Sequence, residues 1–204
     1  MAASLGKRPE VGQDGIVDLP PGKIAAIATY LEMHAPPEPR PAPAHPGMFA
    51  LIGGDIPRYR ALYKAIGEPW LWFSRGRLSD MRLRAILDDP RVEAFAFHAE
   101  GRDLGLIELD FRIAGQCELS FLGLVPGAIG RGLGRVLIQE AIGRAFAKPI
   151  ERLWLHTCTL DHPAALPFYM AAGLRPYRRA IEIAEDPRLT GELPRDAAPQ
   201  LPIV

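Results

Sequence analysis

Three glycines within five residues, Gly130, Gly132 and Gly134, are flanked by Arg131 and Arg135 and lead into an apolar helical pattern. A helix start exposes about four amide donors and a partial charge of roughly +0.5, and glycines let the backbone approach an anion with no side chain in the way. The junction suits the diphosphate of a nucleotide-bearing cofactor, with the two arginines at its rim. The same turn would also serve simply to pack a helix on a sheet. Two other phosphate loops fit poorly. A dinucleotide fingerprint wants glycine where Arg135 stands and an early place in the chain, and a Walker A loop wants lysine and a hydroxyl residue where Leu133 and Gly134 follow Gly132.

Other reactive groups are scattered. His156 and Cys158 share a strand face by period two and lie near Asp161 and His162, a set that suggests a metal or a cysteine with a histidine base. Residues so close on one strand seldom converge tetrahedrally, so no metal is expected and Cys158 reads better as a small group bordering a cleft. Trp70, Leu71, Trp72 and Phe73 form an aromatic run suited to core packing or to lining a substrate pocket. His34, His45 and His98 are isolated.

The elements that must position these groups follow from periodicity and punctuation. A first strand is predicted over 23–31, and the segment 35–54, with six prolines and three glycines, reads as a long loop. Asp55 caps a short helix through residue 65, and Ser79 and Asp80 cap another over 81–87. Strands over 92–99, 104–113 and 117–125 form an antiparallel meander. The apolar spacing of Leu133, Val136, Leu137, Ala141 and Ala145 sets a long helix over 131–147. A strand over 150–158 then pairs parallel with the third meander strand, because a strand, a long helix and a strand make a crossover. A helix over 163–172, bent at Pro167, and a strand over 176–184 complete an α/β pattern, of α+β type. Its sheet is mixed and mostly antiparallel.

Lysine plus arginine equals aspartate plus glutamate at 24 each in 204 residues, leaving no net field to hold nucleic acid or an acidic membrane. The first 22 residues carry Lys7, Arg8, Glu10, Asp14 and Asp18 with no apolar run, and no later stretch is long enough to span a bilayer, so the reading is a cytoplasmic protein. Cys117 and Cys158 are too few for a disulfide framework. Residues 1–22 read as a flexible leader, 23–184 as one domain, and 185–204, with four prolines, as an extended tail that wraps the body or reaches a second copy in a homodimer.

Ile129, Gly130-Arg131, Gly132, Leu133 and Gly134, following a strand that ends near Pro126, resemble the cofactor motif of the GNAT superfamily of N-acetyltransferases, with Ile129 in a place usually held by glutamine or arginine. His162, Ala165, Phe168-Tyr169 and Gly173 resemble the family's second signature, with histidine in place of asparagine. The resemblance covers about residues 92–184. It implies helices on both faces of the sheet and a splayed parallel strand pair whose gap takes the pantetheine arm of acetyl-CoA as an added strand would. It implies cofactor contacts at Leu122, Leu124, Val125, Ile129, Gly130, Arg131, Gly132, Leu133, Gly134, Arg135, His162, Phe168 and Tyr169, and an amide near Gly123 for the acetyl oxygen. Tyr169 would be the acid for the leaving thiolate and Glu118 the base, with Glu108 or Asp110 as alternatives. Alternation would put Glu118, Ser120, Leu122 and Leu124 on one face. The implied reaction is direct acetyl transfer to an amine, a small molecule or a protein amino group. A CoA-binding sensor without turnover and a nucleotide-dependent oxidoreductase are the rival readings.

Overall fold

The computed structural model describes residues 14–38, 45 and 47–204, so residues 1–13 of the expected leader and 39–44 and 46 of the proline-rich loop lie outside the described residues. The meander is the frame: β3 (Val92–Ala99), β4 (Arg102–Asp110) and β5 (Gln116–Leu124) pair antiparallel in sequence order. β3 and β4 join through a two-residue turn in which Glu100 and Gly101 both take positive φ, 55° and 72°. That turn matches the strand twist and lets β4 start two residues earlier than the sequence suggests. β4 ends at Asp110 rather than 113, because Arg112 folds back to donate from its amide, at 2.9 Å, and its guanidinium to the Asp110 carboxylate.

α3 (Leu133–Phe146) connects β5 to β6 (Arg152–Cys158), which lies parallel to β5. Their paired residues run only from Gln116 opposite Arg152 to Glu118 opposite Trp154. Beyond Glu118 the two strands part. The helix begins two residues later than its apolar spacing predicts because Gly130 and Gly132 take φ of 81° and 79°, outside the helical region. α4 (Ala165–Ala171) has Pro167 in its first turn, where a missing amide costs no helical bond, and it runs out into Gly173 at φ 101°.

β1 (Lys23–Met33) inserts between β6 and β7 (Arg175–Glu185), antiparallel to both. β2 (Met48–Leu51), within the segment expected to be loop, pairs with β3 and gives the sheet order β2-β3-β4-β5-β6-β1-β7. No proline interrupts residues 47–56, so this stretch can pair as an edge strand, and Gly47 sits where a Cβ would meet the Phe97 ring at 2.3 Å.

The sheet is thus mixed and mostly antiparallel, with one splayed parallel pair and helices on both faces. α1 (Ile56–Gly67), capped by Asp55, and α2 (Asp80–Leu87), capped by Ser79, cover one face with Tyr59, Leu62, Ile66 and Leu83 buried. α3 and α4 cover the other with Val136, Leu137, Ala141 and Tyr169. From Asp186 the chain turns back onto the body: Ala197 and Ala198 are buried with Ile24 and Leu71. Arg188 and Asp186 form a buried pair, and Arg188 also donates to the carbonyl of Leu201 at 2.7 Å. Among the described residues no helix is long and apolar enough to cross a membrane.

Candidate active site

A cavity of about 420 Å³ follows the splay between β5 and β6. One end opens at the glycine turn, where Ile129 and Gly134 line it. A Cβ built on Gly130 or Gly132 meets nothing within 4 Å, and one on Gly134 meets only the Phe168 ring, at 3.5 Å. The amides of Leu133 and Gly134 open α3 directly after two left-handed glycines, while the Arg135 amide already donates to the Gly132 carbonyl at 3.2 Å. Arg131 is turned to Glu100 in an exposed ion pair, so of the two rim arginines only Arg135 is without an acidic partner among the described residues.

Leu122 and Leu124 line the middle of the cavity. The Val125 amide donates to Leu104 of β4 at 2.9 Å, so the alternating backbone groups of Leu124 and Leu122 point the other way, into the gap beside β6. That parity makes Leu122 or Leu124, rather than Gly123, the amide that can serve an acetyl oxygen. Gly123 answers a different need: a Cβ there would meet Ile66 at 2.3 Å and Trp72 at 3.1 Å, so glycine lets α1 and the aromatic run approach β5.

The expected one-face alternation of Glu118, Ser120, Leu122 and Leu124 does not occur. Leu109 pairs with Leu119 but Glu108 pairs with Phe121, so Ser120 is the extra residue of a bulge. The bulge puts Glu118 on the face of Phe121 and sends Leu122 and Leu124 toward α3. Glu118 lines a separate polar pocket of about 290 Å³ with Asp110, Arg112, Gln116 and Trp154. Burial, then the nearby Asp110, raises its carboxyl above the ordinary range. The alternative carboxylates are committed elsewhere. Glu108 is fully buried, accepting from the Tyr59 hydroxyl and from Arg75 at 2.6 Å, and Asp110 is held by Arg112.

Tyr169 and Phe168 line the cavity from α4, their rings edge to face at 5.3 Å. Burial, with Asp161 adding, pushes the Tyr169 phenol well up, so it keeps its proton at neutral pH. His162 also lines the cavity, but its Nδ1 accepts from the Ala164 amide at 3.1 Å and its ring meets Trp70 edge on. It shapes the entry to α4. Val125 and Leu133 pack into the core beneath the turn.

Asp161 is the residue that sequence reasoning noticed only as a metal candidate. Its carboxylate accepts from Thr157 Oγ1 and the Cys158 amide, both at 2.8 Å, and from Trp72 Nε1 at 3.1 Å. It therefore ties the end of β6 to the aromatic run across the cavity. The signal available was an aspartate three residues past a strand's last residue, a spacing at which side chains commonly satisfy local amides. Among the described residues no group of three histidine, cysteine or acidic side chains is placed to hold a metal ion. Burial and Asp161 push the Cys158 thiol up to about 11, leaving little thiolate for covalent catalysis.

The far end of the cavity comes from segments no motif marks: Ile24 and Ala26 of β1, Leu71 to Ser74, His156 of β6, and Glu182 and Ala184 of β7. The aromatic run is held from behind. Gln200 donates to the Pro69 carbonyl at 3.1 Å, and Arg77 reaches Glu192 and the Glu185 carbonyl.

A parallel pair opened beyond three residues, a glycine turn above the opening and a tyrosine beside it are the features that the resemblance to the acetyltransferase family implies. The model of the Acetyltransferase (GNAT) family matches residues 59–174, more than half of the chain, and the chain belongs to that family. Solved structures agree in fold. A GNAT-family acetyltransferase of Novosphingobium aromaticivorans is 22% identical, with TM-score 0.56, over 81% of this chain and 67% of its own. A GCN5-related N-acetyltransferase of Sphaerobacter thermophilus is 21% identical, with TM-score 0.55, over 81% and 52%. An aminoglycoside acetyltransferase from an uncultured soil sample, in complex with sisomicin, is 14% identical, with TM-score 0.51, over 62% and 86%. The chain thus spans about half to two thirds of the length of the first two. No curated protein matches it.

Proposed function

We propose that the protein is an N-acetyltransferase that uses acetyl-CoA and transfers directly to an amine, as its family supports for acyl transfer in general. The observation that carries the reading is the cavity's continuity: open glycine backbone at one end, the backbone of Leu122 and Leu124 facing the gap in the middle, and Tyr169 beside it. The residues fit the cofactor, since the turn leaves Cβ space empty where a diphosphate would lie and the gap offers strand-like backbone partners. Bound acetyl-CoA supplies an activated thioester.

The chain's own groups do the rest. The amides of the turn hold phosphate, the Leu122 or Leu124 amide donates to the acetyl oxygen as it gains charge, and Tyr169 gives its proton to the departing sulfur. A protonated Cys158 supports direct transfer over an acetyl-cysteine step. For the base, Glu118 acts through water from its own polar pocket, its raised carboxyl the better acceptor for being raised. His156 is the second assignment, favoured by one fact: it lines the cavity itself. The unpaired Cys117 and Cys158 support a cytoplasmic setting.

Titration calorimetry with CoA together with thiol release over an amine panel tests the whole reading. CoA binding with acetylation of at least one amine is expected. Binding without turnover on any amine would turn the protein into a CoA sensor, and NAD(P) binding that CoA displaces would favour the oxidoreductase.

A further inference from the structure

This inference rests on the acetyl-transfer reading and concerns the second substrate. The far end of the cavity is a slot. Its floor is the sheet, where Ala26, Cys158 and Ala184 present small side chains on adjacent strands, and its roof is Leu71, Trp72 and Phe73. A flat floor under aromatic rings favours an apolar body of modest size, since such surfaces gain free energy by burying carbon and have few groups to pair with polar ones.

The charges at the slot are few. Asp161 lines it, but both of its oxygens are already accepting hydrogen bonds from Trp72, Thr157 and the Cys158 amide. Glu118 lies in the separate polar pocket. Glu182 is different. It stands opposite Ala26 in the register, on the slot's own face of β7, and it forms no ion pair among the described residues. Its charge reaches Cys158 across the small alanines of β1 and helps to keep that thiol protonated. A long carboxylate side chain with nothing charged to meet, over a floor of alanines, is a receptor for one cation. It suits neither an acidic acceptor, which it repels, nor a polycation, which needs several such partners.

We infer that the acceptor is a small monoamine on an apolar, ring-bearing body, drawn into the slot as its ammonium ion by Glu182. On transfer the ammonium first gives a proton to the base. The nitrogen lone pair then forms the C–N bond as the C–S bond breaks, the thiolate takes the Tyr169 proton, and the second amine proton passes to the Tyr169 phenolate, so that a neutral amide and free thiol leave and Tyr169 is restored.

The test is thiol release by the full chain with acetyl-CoA and four acceptors: phenylethylamine, hexylamine, spermine and sisomicin, with aspartate as the acidic control. Phenylethylamine is expected to exceed spermine, sisomicin and aspartate in kcat/KM by a factor of about 30 or more, with hexylamine between. Glu182→Gln should raise the KM for phenylethylamine about tenfold, the equivalent of about 1.4 kcal/mol, with kcat and CoA affinity kept within about twofold. A preference for spermine, sisomicin or aspartate overturns the substrate class while acetyl transfer stands. An unchanged KM in Glu182→Gln overturns the role of Glu182. Thiol release with none of these or any other amine, despite CoA binding, overturns the acetyl-transfer reading beneath both.

Discussion

The two ends of the cavity are built on different principles. The proposed cofactor end is backbone: one continuous stretch, from Leu122 to Arg135, lays down a strand edge, a turn with two left-handed glycines and a helix start. The proposed acceptor end is side chain: β1 and β7 contribute two residues each, β6 contributes His156 and Cys158, the aromatic run contributes Leu71 to Ser74, and the tail beyond Glu185 props the roof. A backbone site is specified by where glycine stands and tolerates changes around it, such as Ile129 in a usually polar place. A side-chain site depends on every segment that holds it, including those far from the chemistry.

Five changes probe that contrast, from the largest expected effect to the smallest. Gly134→Glu places a carboxylate where the diphosphate belongs, and calorimetry should show CoA affinity reduced by more than about a hundredfold, or about 2.8 kcal/mol, with the circular dichroism spectrum retained. Unchanged affinity would break the backbone-site account. Tyr169→Phe removes the proton for sulfur and should lower kcat by about a hundredfold, within the range for general acids, at constant CoA affinity. Equal activity would reduce Tyr169 to packing beside Phe168.

Arg188→Ala attacks only the acceptor end. It removes the hub that joins Asp186 to the tail carbonyls and leaves a buried carboxylate without its partner, so the tail should loosen from Leu71. The expectation is an acceptor KM raised about tenfold, or about 1.4 kcal/mol, with CoA affinity unchanged. A matching loss of CoA affinity would show the two ends to be one structural unit.

The smallest effect is in pH. The Arg188 hydrogen bonds hold the Asp186 carboxyl below the ordinary range, so the docked tail binds fewer protons than the released one. Its contribution is therefore full above the ordinary carboxylate range and is lost as pH falls through the depressed value. Tryptophan fluorescence should report release of the Trp70–Trp72 segment in acid, and Asp186→Asn should flatten that dependence. Glu118 carries the opposite shift: its raised carboxyl should give the kcat profile an acidic limb that Glu118→Gln removes. Survival of the limb would move the base to His156.

Much of the cofactor end was legible before folding. The strand over 92–99 ends where predicted, and the long helix and the parallel pairing follow from apolar spacing and from the strand-helix-strand order. Helix capping by Asp55 and Ser79 was legible for the same reason, being local. The Ser120 bulge was not, because period-two alternation has no term for an unpaired residue, and so the face of Glu118 was misjudged. Of the far end of the cavity only the aromatic run was legible, as one of two readings; its other members recur at no fixed spacing.

What the sequence determined by itself is whatever a short span of chain can enforce: a glycine turn bound to become left-handed, a helix start left open to an anion, and a tyrosine one turn into the following helix. Tertiary structure alone decided that β1 would insert between β6 and β7, that Glu182 would stand opposite Ala26 beside the cavity, and that the tail would brace Leu71. The physical reason is reach. Backbone dihedrals and hydrogen-bond periodicity act over a few residues, whereas a pocket of side chains exists only once strands more than a hundred residues apart are paired.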